Sequence, residues 1–512
     1  MPAAHDPNSL LETQRELEAF VRSLAHPTVI EDEAELFDLT AARWKLTVEF
    51  GKLLFEAWND ARSIARRVEG IAFRDRGRIG VFVRKPGGRE TGTLEFRDLE
   101  APERGDRNRA ADRTRFRREF LAMLAREYPG WQLEHVSNRS DRERSLSTWY
   151  TRGLARQGRS GWAFLGLDES EALAAADRVL AYGLIWLDWL RSQSQRATVP
   201  GLKLFLPRAA AQLSAHRAAC LNVRAAQWEI LEWKIGDAQP RAVDLRDYGN
   251  VETRLAPRRQ GELLMESHRP LLREFAGDSL AAMDLTPDAS GNATSLRARG
   301  LEVARLEGQI SPRIYFGLEG SYQKLDESNG DDFRRLLKDV VELRAAHSRN
   351  PTHEFYRLQS ERWLESLLLR DITKIDPELM PDFVYPQVPA FSAADRGVID
   401  ILGVTRRGRL AVIELKLEEE INLPIQGLDY WLRVKWLADR EQFQERGYFP
   451  GLELSKRRPL LYLVCPAFRF HSTTGQVIRY FDPSIEIIQV GLNDQWREGI
   501  QVLFRRAARG AQ

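Results

Sequence analysis

The sequence predicts an α/β protein in which a mixed α/β N-terminal domain containing a β-meander precedes a C-terminal mixed sheet flanked by helices. The chain has 512 residues, too many for one ordinary core, and 43% of them are hydrophobic. Short aromatic and β-branched segments separated by turn residues fill residues 44–99, as in a meander. From about residue 353 the patterns follow the order helix, three strands, helix, two strands.

The N-terminal half begins with a predicted helix over residues 7–25, where Leu10, Leu17 and Phe20 recur at helical spacing. The meander follows, with a Pro-Gly-Gly turn between its last two strands. Its strands are expected at residues 44–50, 53–58, 79–85 and 91–96. Later patterns predict helices at residues 114–127, 169–192 and 208–219 and strands at 201–207 and 227–234. Alternating helices and strands of this kind indicate a mixed α/β domain.

Four consecutive segments are expected. Residues 284–295 contain few apolar residues and many turn formers, so they are the best linker candidate, and a connector with a helix at 331–346 follows. The predicted segments are a leading helix at 1–35, a mixed α/β domain at 36–283, a linker and connector at 284–350, and a C-terminal domain at 351–512. The N-terminal domain is expected to recognise a substrate or a protein partner.

The C-terminal domain is predicted to start with a helix over residues 353–371. Residues 383–391 are expected as an edge strand, because their prolines cannot pair fully. A hairpin around residues 397–416 follows, then a helix over 423–446 and buried strands at 458–466 and 484–490.

The hairpin carries the chemistry. Asp400 and Glu414 are equally far from Arg407, the middle residue of a predicted three-residue loop over 406–408, so the two carboxylates should face each other. The period-two alternation of a strand places Lys416 on the same face as Glu414. Two acids and one amine are therefore expected to converge.

Cleaving a phosphodiester requires a hard cation, a positioned water molecule and help in activating that water. Asp400 and Glu414, with the carbonyl of Leu415 nearby, are expected to bind Mg²⁺, for which Mn²⁺ can substitute. Lys416 would orient the attacking water or stabilise charge. Glu361 and Glu365 lie four residues apart on one helix face, so either can complete the metal site, with a slight preference for Glu361.

These residues resemble the PD-(D/E)xK (restriction-endonuclease-like) nuclease superfamily over about residues 354–490. Gln426 and Tyr430, in the helix after the Glu-x-Lys strand, look like the Gln-x-x-x-Tyr motif of its RecB-type branch. One departure is Ile399, where the family often has proline before the acid. The resemblance implies a restriction-endonuclease-like fold and a metal-dependent nuclease acting on DNA in repair, restriction or defence, with Gln426 and Tyr430 near the nucleic-acid strand.

Several alternatives stay open. A non-catalytic nucleic-acid-binding or scaffolding protein on the same fold is the competing function. A second Glu-x-Lys, Glu232 to Lys234, has no acid upstream of it and is expected to be structural. Arg406 and Arg407 are either a solvated turn or a contact to a nucleic-acid strand, and His353 is either a solvated residue or a supplementary ligand. Three tryptophans are either core residues or base-stacking platforms: Trp363, Trp431 and Trp436.

Composition indicates a cytoplasmic protein. The two cysteines, Cys220 and Cys465, are far apart, which argues against a disulfide framework or a structural zinc site. No basic and apolar leader opens the sequence, and its longest apolar run, residues 180–190, is too short to span a membrane. The net charge is only +2, so charge alone does not identify a nucleic-acid partner.

Overall fold

The protein is described by a computed structural model, in which the chain divides into two compact units. One unit holds residues 1–103, 256–370 and 497–499, and the other holds residues 104–255, 371–496 and 500–512. Within these ranges the structure describes residues 7–24, 26–31, 34–40, 42–49, 52–58, 63–75, 78–84, 91–98, 105–141, 145–171, 173–193, 198–245, 254–255, 257–287, 293–308, 311–318, 322–391, 398–508 and 510.

The first sheet belongs to unit 1 and contains the predicted meander. Helix α1 (Pro7–Ser23) packs its apolar face, including Leu17, against it. Strands β3 to β7 pair in chain order, and β1 lies between β7 and β2. The strands are β1 (Pro27–Glu31), β2 (Ala34–Asp38), β3 (Arg43–Glu49), β4 (Lys52–Trp58), β5 (Ser63–Asp75), β6 (Arg78–Arg84) and β7 (Thr91–Asp98). The meander prediction is confirmed.

The second sheet belongs to unit 2 and has the order β13-β12-β11-β10-β9-β8. Strands β10, β11 and β12 are parallel, and helices α3 and α4 connect them. Helix α2 packs Phe116 and Phe120 on aromatic residues of this sheet. The elements are α2 (Gly105–Glu127), β8 (Gln132–Ser137), β9 (Tyr150–Gln157), β10 (Ser160–Leu167), α3 (Leu173–Gln193), β11 (Gly201–Leu206), α4 (Arg208–Ala218), β12 (Gln227–Glu232), β13 (Arg241–Ala242) and β14 (Arg254–Leu255), the last of which pairs with the fourth sheet.

The third sheet, in unit 1, is an antiparallel meander of five strands packed against α5 and α6. Its elements are α5 (Arg258–Ala276), β15 (Asp284–Pro287), β16 (Ala293–Ala298), β17 (Leu301–Glu307), β18 (Arg313–Phe316), β19 (Gln323–Lys324) and α6 (Gly330–Leu343). Residues 284–287 are therefore a paired strand rather than the start of the expected linker, because Leu285 packs on the same core as Leu296 of β16. Residues 288–292 of that expected linker lie outside the described residues.

Two short helices end this part of unit 1. They are α7 (Glu354–Arg357) and α8 (Ser360–Arg370), which replace the single helix expected over residues 353–371. The break lies at Gln359, whose φ of +49° is incompatible with a continuous right-handed helix. Buried Arg344 holds this break, since its guanidinium donates to the carbonyl oxygens of Leu358 and Gln359.

The fourth sheet belongs to unit 2 and has the order β14-β20-β21-β22-β23-β24-β25. Strands β20, β21 and β22 are antiparallel neighbours, whereas β22, β23 and β24 are parallel, with helices as their connections. The elements are β20 (Tyr385–Phe391), β21 (Val398–Val404), β22 (Leu410–Leu415), α9 (Leu423–Ala438), α10 (Gln442–Glu445), β23 (Leu460–Pro466), α11 (Thr474–Arg479), β24 (Glu486–Leu492) and β25 (Val502–Ala508). The predicted helix over 423–446 is interrupted before α10, where Glu441 has a φ of +57°.

The two sheets of unit 2 share one hydrophobic core. Leu184 of α3 and Leu204 of β11 belong to the same buried cluster as Val412 of β22, Trp431 of α9 and Leu463 of β23. Residues 104–255 therefore fold with residues 371–496, whereas the sequence predicts a boundary between consecutive segments. A core assembled from segments this far apart cannot be read from local composition, since each segment by itself looks like part of an ordinary α/β domain.

The fold class is confirmed at the level of a mixed α/β protein with several sheets flanked by helices. Several strands were not predicted, namely β1, β2, β5, β8, β9, β10, β13 to β19 and β25. Strand β5 shows one reason why strands were missed. Its Arg66 is a charged residue of the kind that sequence patterns assign to the surface, yet it is buried and pairs with Glu31 of β1 at 2.6 Å. Across the described residues, we find no helix that combines the length and the apolar character needed to cross a membrane.

Candidate active site

The hairpin of β21 and β22 has the register that its sequence predicts. The pairs run from Ile401 opposite Ile413 to Val404 opposite Leu410, so the next pair toward the open end is Asp400 with Glu414. The three-residue loop is also confirmed: the N–H of Thr405 donates to the carbonyl of Arg409 at 2.8 Å, which leaves residues 406–408 as the loop. Gly408 closes the turn with a φ of +73°, a conformation that glycine adopts without strain.

Asp400 is held at the open end of the hairpin. Its Oδ2 accepts a hydrogen bond of 3.0 Å from the backbone N–H of Leu415, and its Oδ1 accepts one of 3.4 Å from Gln387 Nε2. Gln387 has a φ of +49°, and the pairs on either side of it, Pro386 with Ile401 and Val388 with Ile399, keep one register, so Gln387 lies opposite Asp400. These contacts fix the carboxylate of Asp400 beside the Glu-x-Lys strand.

Glu414 is the most deeply buried acid of the group, with 0% of its surface exposed. Its Oε1 lies 3.8 Å from Nζ of Lys416, which is itself mostly buried. An ionised carboxylate in such a place costs free energy unless nearby charges or a bound cation compensate it. Together with Asp400 on the adjacent strand, Glu414 gives the site two acidic groups and one amine.

Helix α9 brings Gln426 and Tyr430 to the same place. Burial raises the pKa of the Tyr430 hydroxyl well above its usual value, and the negative charges of Glu414 and Asp400 raise it further. The charge of Lys416 and a hydrogen bond from Gln426 Nε2, at 3.5 Å, lower it by less. Tyr430 is therefore a neutral hydroxyl group that faces both carboxylates.

The close approach of α9 to the sheet depends on Gly427. A Cβ at this position would lie 2.8 Å from Cδ2 of Leu463 and 3.2 Å from Cδ1 of Leu461. The missing side chain lets the helix settle onto β23, one strand away from Glu414. Five of the residues singled out in the sequence thus meet on one face: Asp400, Glu414, Lys416, Gln426 and Tyr430.

A buried ion-pair network that the sequence did not reveal holds α9 in place. Arg217 of α4 donates from Nε to Oδ1 of Asp429 at 3.0 Å and from Nη2 to Oδ2 at 2.6 Å. The same guanidinium binds Asp177 of α3, whose Oδ2 accepts a hydrogen bond of 2.6 Å from Asn422, the residue before α9. Burial alone would lower the pKa of Arg217, but the two carboxylates outweigh it and raise the pKa above its ordinary value.

No local signal could have found this network. Arg217 and Asp429 are separated by 212 residues, and each looks like an ordinary polar residue of an amphipathic helix. Its consequence is that the helix carrying Gln426 and Tyr430 is fixed by the part of the chain around residues 177–217.

Three other residues predicted for the site lie in unit 1. Glu361 and Glu365 lie on α8 in unit 1, whereas the hairpin belongs to unit 2, and Oε2 of Glu365 accepts a hydrogen bond of 2.9 Å from Arg362. His353 caps α7, since its Nδ1 accepts a hydrogen bond from the N–H of Phe355 at 3.2 Å. Their assignment as metal ligands stays a prediction.

Arg406 and Arg407 lie at the turn, five or more residues along the hairpin from Asp400. At about 3.3 Å per residue this separation is roughly 17 Å or more. The N–H of Arg406 donates to the carbonyl of Glu378 at 2.8 Å, and its Nε donates to that of Pro377. The two exposed arginines are thus at the opposite end of the hairpin from the carboxylates, rather than beside them.

The tryptophans named from the sequence pack against protein groups. Trp363 is buried in unit 1 and contacts the guanidinium of Arg344, and Nε1 of Trp431 donates to the carbonyl of Pro459 at 2.8 Å. Trp436 lies 4.0 Å from the guanidinium of Arg440. In the second Glu-x-Lys, Trp233 packs in the aromatic cluster of Phe116 and Phe120, and Glu232 lies 3.5 Å from Arg241.

The donors at the open end of the hairpin suit a hard cation. Two carboxylates on adjacent strands are oxygen ligands of the kind that Mg²⁺ accepts while it keeps several waters, and Leu415, whose carbonyl was predicted as a further ligand, follows Glu414 in the chain. In the described part of the chain, no group of three or more His, Cys, Asp or Glu side chains is arranged to hold a metal ion. The fit therefore rests on a pair of acids, not on a complete protein cage.

No model of a protein family matches the sequence, and no curated protein matches it at a significant level.

Proposed function

We propose that this protein is a metal-dependent nuclease that hydrolyses phosphodiester bonds of DNA, in repair, restriction or defence, with Mg²⁺ as its cofactor and Mn²⁺ as a substitute. The observation that carries the proposal is the convergence of Asp400, Glu414 and Lys416 at the end of one hairpin, with the neutral hydroxyl of Tyr430 facing both acids. Perturbed and buried ionisable groups that cluster in this way are typical of reactive sites.

The strand order supports a restriction-endonuclease-like arrangement for this sheet. An antiparallel pair carries the acids, a helix follows, and the chain returns to a strand parallel to the Glu-x-Lys strand. This order agrees with the resemblance seen in the sequence. Gly427 and the Arg217 network further suit a site whose helix must stay close to the carboxylates.

Each residue has a distinct task in the proposed reaction. Asp400 and Glu414 would hold the cation, which neutralises charge on the phosphate and favours ionisation of a bound water. Lys416 would stabilise the charge that grows on the phosphate oxygens. Tyr430, kept neutral by burial and by the two acids, donates a hydrogen bond to an oxygen of the strand, and Gln426 orients that hydroxyl.

A non-catalytic nucleic-acid-binding protein is the second candidate. The observation that favours it is the 3.8 Å contact between Lys416 and Glu414, which already compensates one of the two acids. In that case the hairpin would bind nucleic acid without needing a cation.

Cleavage assays separate the two functions. Wild type would be incubated with single- and double-stranded DNA and RNA, in Mg²⁺, in Mn²⁺ and in chelator. We expect metal-dependent cleavage that falls at least about a hundredfold in Asp400→Ala, Glu414→Gln and Lys416→Met. Glu232→Gln is the matched control, because Glu232 sits in the same tripeptide but borders the surface, 3.5 Å from Arg241.

Two outcomes would contradict the nuclease proposal or its assignment to the hairpin. If wild type cleaves none of the four substrates above the level of Asp400→Ala, while nucleic acid still binds in chelator, the non-catalytic function replaces it. If Glu232→Gln loses as much activity as Glu414→Gln, the assignment of the site to the hairpin fails.

A further inference from the structure

We propose that the turn after β23 and the edge strand β25 form a base-stacking platform that binds unpaired nucleotides next to the hairpin carboxylates. The platform is defined by Phe468, Phe470, Phe504 and Arg506. The inference deepens the proposed function and rests on it, since it gives the substrate as a nucleic-acid strand with unpaired bases at the point of cleavage.

The first observation is the exposure of Phe468. It lies in a short 3-10 turn (Ala467–Arg469) directly after β23, and 82% of its surface is exposed to solvent, the largest fraction among the exposed large hydrophobic residues identified in the described part of the chain. An aromatic ring held out in this way buries little apolar surface in the fold, so folding stability does not explain it. Its neighbour Arg469 is only partly buried. Exposed rings flanked by arginine are typical of proteins that stack unpaired bases.

A second ring extends the surface. The ring centroid of Phe504, on β25, lies 5.8 Å from that of Phe470, which follows the same turn. Phe504 pairs with Gly491, and a Cβ on that glycine would lie 2.2 Å from Cε1 of Phe504. The glycine therefore leaves the space over β24 in which the Phe504 ring lies, with the ring directed toward the strands that carry the site.

The sheet register places this surface beside the carboxylates. Glu414 pairs with Leu463, Leu463 with Gln489, and Gln489 with Arg506, and paired residues point to the same face. Three strand spacings of about 4.8 Å separate Glu414 from Arg506 by roughly 14 Å. One row further along, the register places Lys416 level with Cys465, Gly491 and Phe504. Because Leu463 and Gln489 are buried, a nucleic-acid strand that passes both the platform and the acids would run along this end of the strands rather than over the face of the sheet.

The row also carries a fixed cation. Arg506 is exposed, and its Nε and Nη2 donate to Oε1 of the buried Gln489 at 3.0 and 2.5 Å. Its guanidinium lies 5.8 Å from the ring centroid of Phe504. Arg505, by contrast, pairs with Asp376 at 2.8 Å and belongs to the alternate face. Arg506 is therefore the residue of this strand that is placed to meet a phosphate beside a stacked base.

The turn lies close to the segment that follows Lys416. Burial lowers the pKa of His471, at the end of the turn, while the carboxylates of Glu419 and Glu420 raise it, so these groups lie within electrostatic range of each other. Nδ1 of the His471 ring lies 2.7 Å from the hydroxyl oxygen of Thr473. Because acids line this side, phosphates are favoured on the Arg506 side and bases over the rings.

Binding measured in an Asp400→Ala background tests the platform without cleavage. The probes are a short single-stranded DNA containing 2-aminopurine and a duplex of the same sequence. We expect the single strand to bind with quenched 2-aminopurine fluorescence, and Phe468→Ala and Phe504→Leu to weaken its binding roughly 5- to 100-fold while duplex binding changes little. The matched control is Phe82→Ala, which removes another exposed aromatic ring, 54% accessible, from unit 1.

The results distinguish the platform from the nuclease. If the parent protein does not bind the single strand, or if both phenylalanine variants bind it as the parent does, the platform is overturned even when wild type cleaves DNA. If quenching and its loss in the variants are observed but wild type shows no metal-dependent cleavage, the platform stands and the nuclease proposal falls. Equal losses in Phe82→Ala would also overturn the assignment.

Discussion

Arg217 Nη2 lies 2.6 Å from Asp429 Oδ2, and this pair joins two helices whose sequences are 212 residues apart. The Arg217 side chain is only 3% exposed and also contacts Asp177, so two acids depend on one buried cation. Asp429 is one residue before Tyr430 on α9. The pair therefore governs both the stability of unit 2 and the position of a helix that faces the candidate site.

Replacing Arg217 with methionine should destabilise unit 2 by roughly 3 kcal/mol, because it leaves the partly buried Asp429 without its bidentate partner. Chemical denaturation monitored by tryptophan fluorescence measures this change. Arg217→Lys should recover part of the loss, since it keeps the charge but not the fork geometry. Arg118→Met is the control, because Arg118 is 73% exposed and pairs with its sequence neighbour Glu119. A change under about 0.5 kcal/mol in Arg217→Met would contradict the structural role.

Glu414→Gln should raise the free energy of unfolding while it removes cleavage. Glu414 lies opposite Asp400 in the hairpin register, and like charges at opposed positions on neighbouring strands destabilise by roughly 0.2–1 kcal/mol. Glutamine has nearly the same shape as glutamate but no charge, so it relieves that repulsion. The same substitution removes a carboxylate that the proposed site needs. Thermal unfolding in chelator, at equal ionic strength, compares this variant with wild type. Glu232→Gln should give no such gain, and a destabilised Glu414→Gln would show that the acid serves the fold.

Mg²⁺ or Mn²⁺ should raise the melting temperature of wild type. For a dissociation constant of about 1 mM, a 10 mM concentration stabilises the binding form by about 1.4 kcal/mol. Asp400→Ala and Glu414→Gln should lose this shift, because each removes one of the two carboxylates that would hold the cation. Scans at matched ionic strength with sodium chloride provide the control. An equal shift in wild type and in both variants would place the metal elsewhere in the protein.

Cys220 should react slowly with thiol reagents in the native protein. Burial, together with the charge of Asp482, raises the pKa of its thiol to about 12 from a usual value near 9. Because the thiolate is the reactive form, at pH 8 the native rate should be lower than in the unfolded chain by roughly a thousandfold. In a Cys465→Ser variant, the native rate should keep rising about tenfold per pH unit up to about pH 12, whereas the unfolded rate levels off above about pH 9. Comparable rates at pH 8 would show that Cys220 is accessible.

The local part of the site followed from the sequence. The loop over 406–408, the register that places Asp400 opposite Glu414, and the side shared by Glu414 and Lys416 are confirmed, because backbone periodicity and turn geometry determine them within about twenty residues. The same holds for Gln426 and Tyr430, since residues four apart share a helix face.

The third acid shows where local reasoning ends. Glu361 and Glu365 have the spacing expected of inward-facing residues, but spacing does not decide which group they face, and their role as metal ligands stays a prediction. Strands β8 to β10 were not predicted, although they help to form the sheet that shares a core with the hairpin. Amphipathic spacing reports that a face is buried, but it does not report which segment covers it.

Local sequence is sufficient to bring Asp400, Glu414 and Lys416 to one end of a hairpin, because the register of a short hairpin depends on its loop and its alternation. Only the folded chain shows that residues 104–255 fold with residues 371–496, that Arg217 binds α9 through Asp429, and that Arg506 and Phe504 lie in register with Glu414 and Lys416. These contacts join segments separated by up to hundreds of residues. Their formation depends on complementary packing and charge between distant surfaces, which no local periodicity encodes.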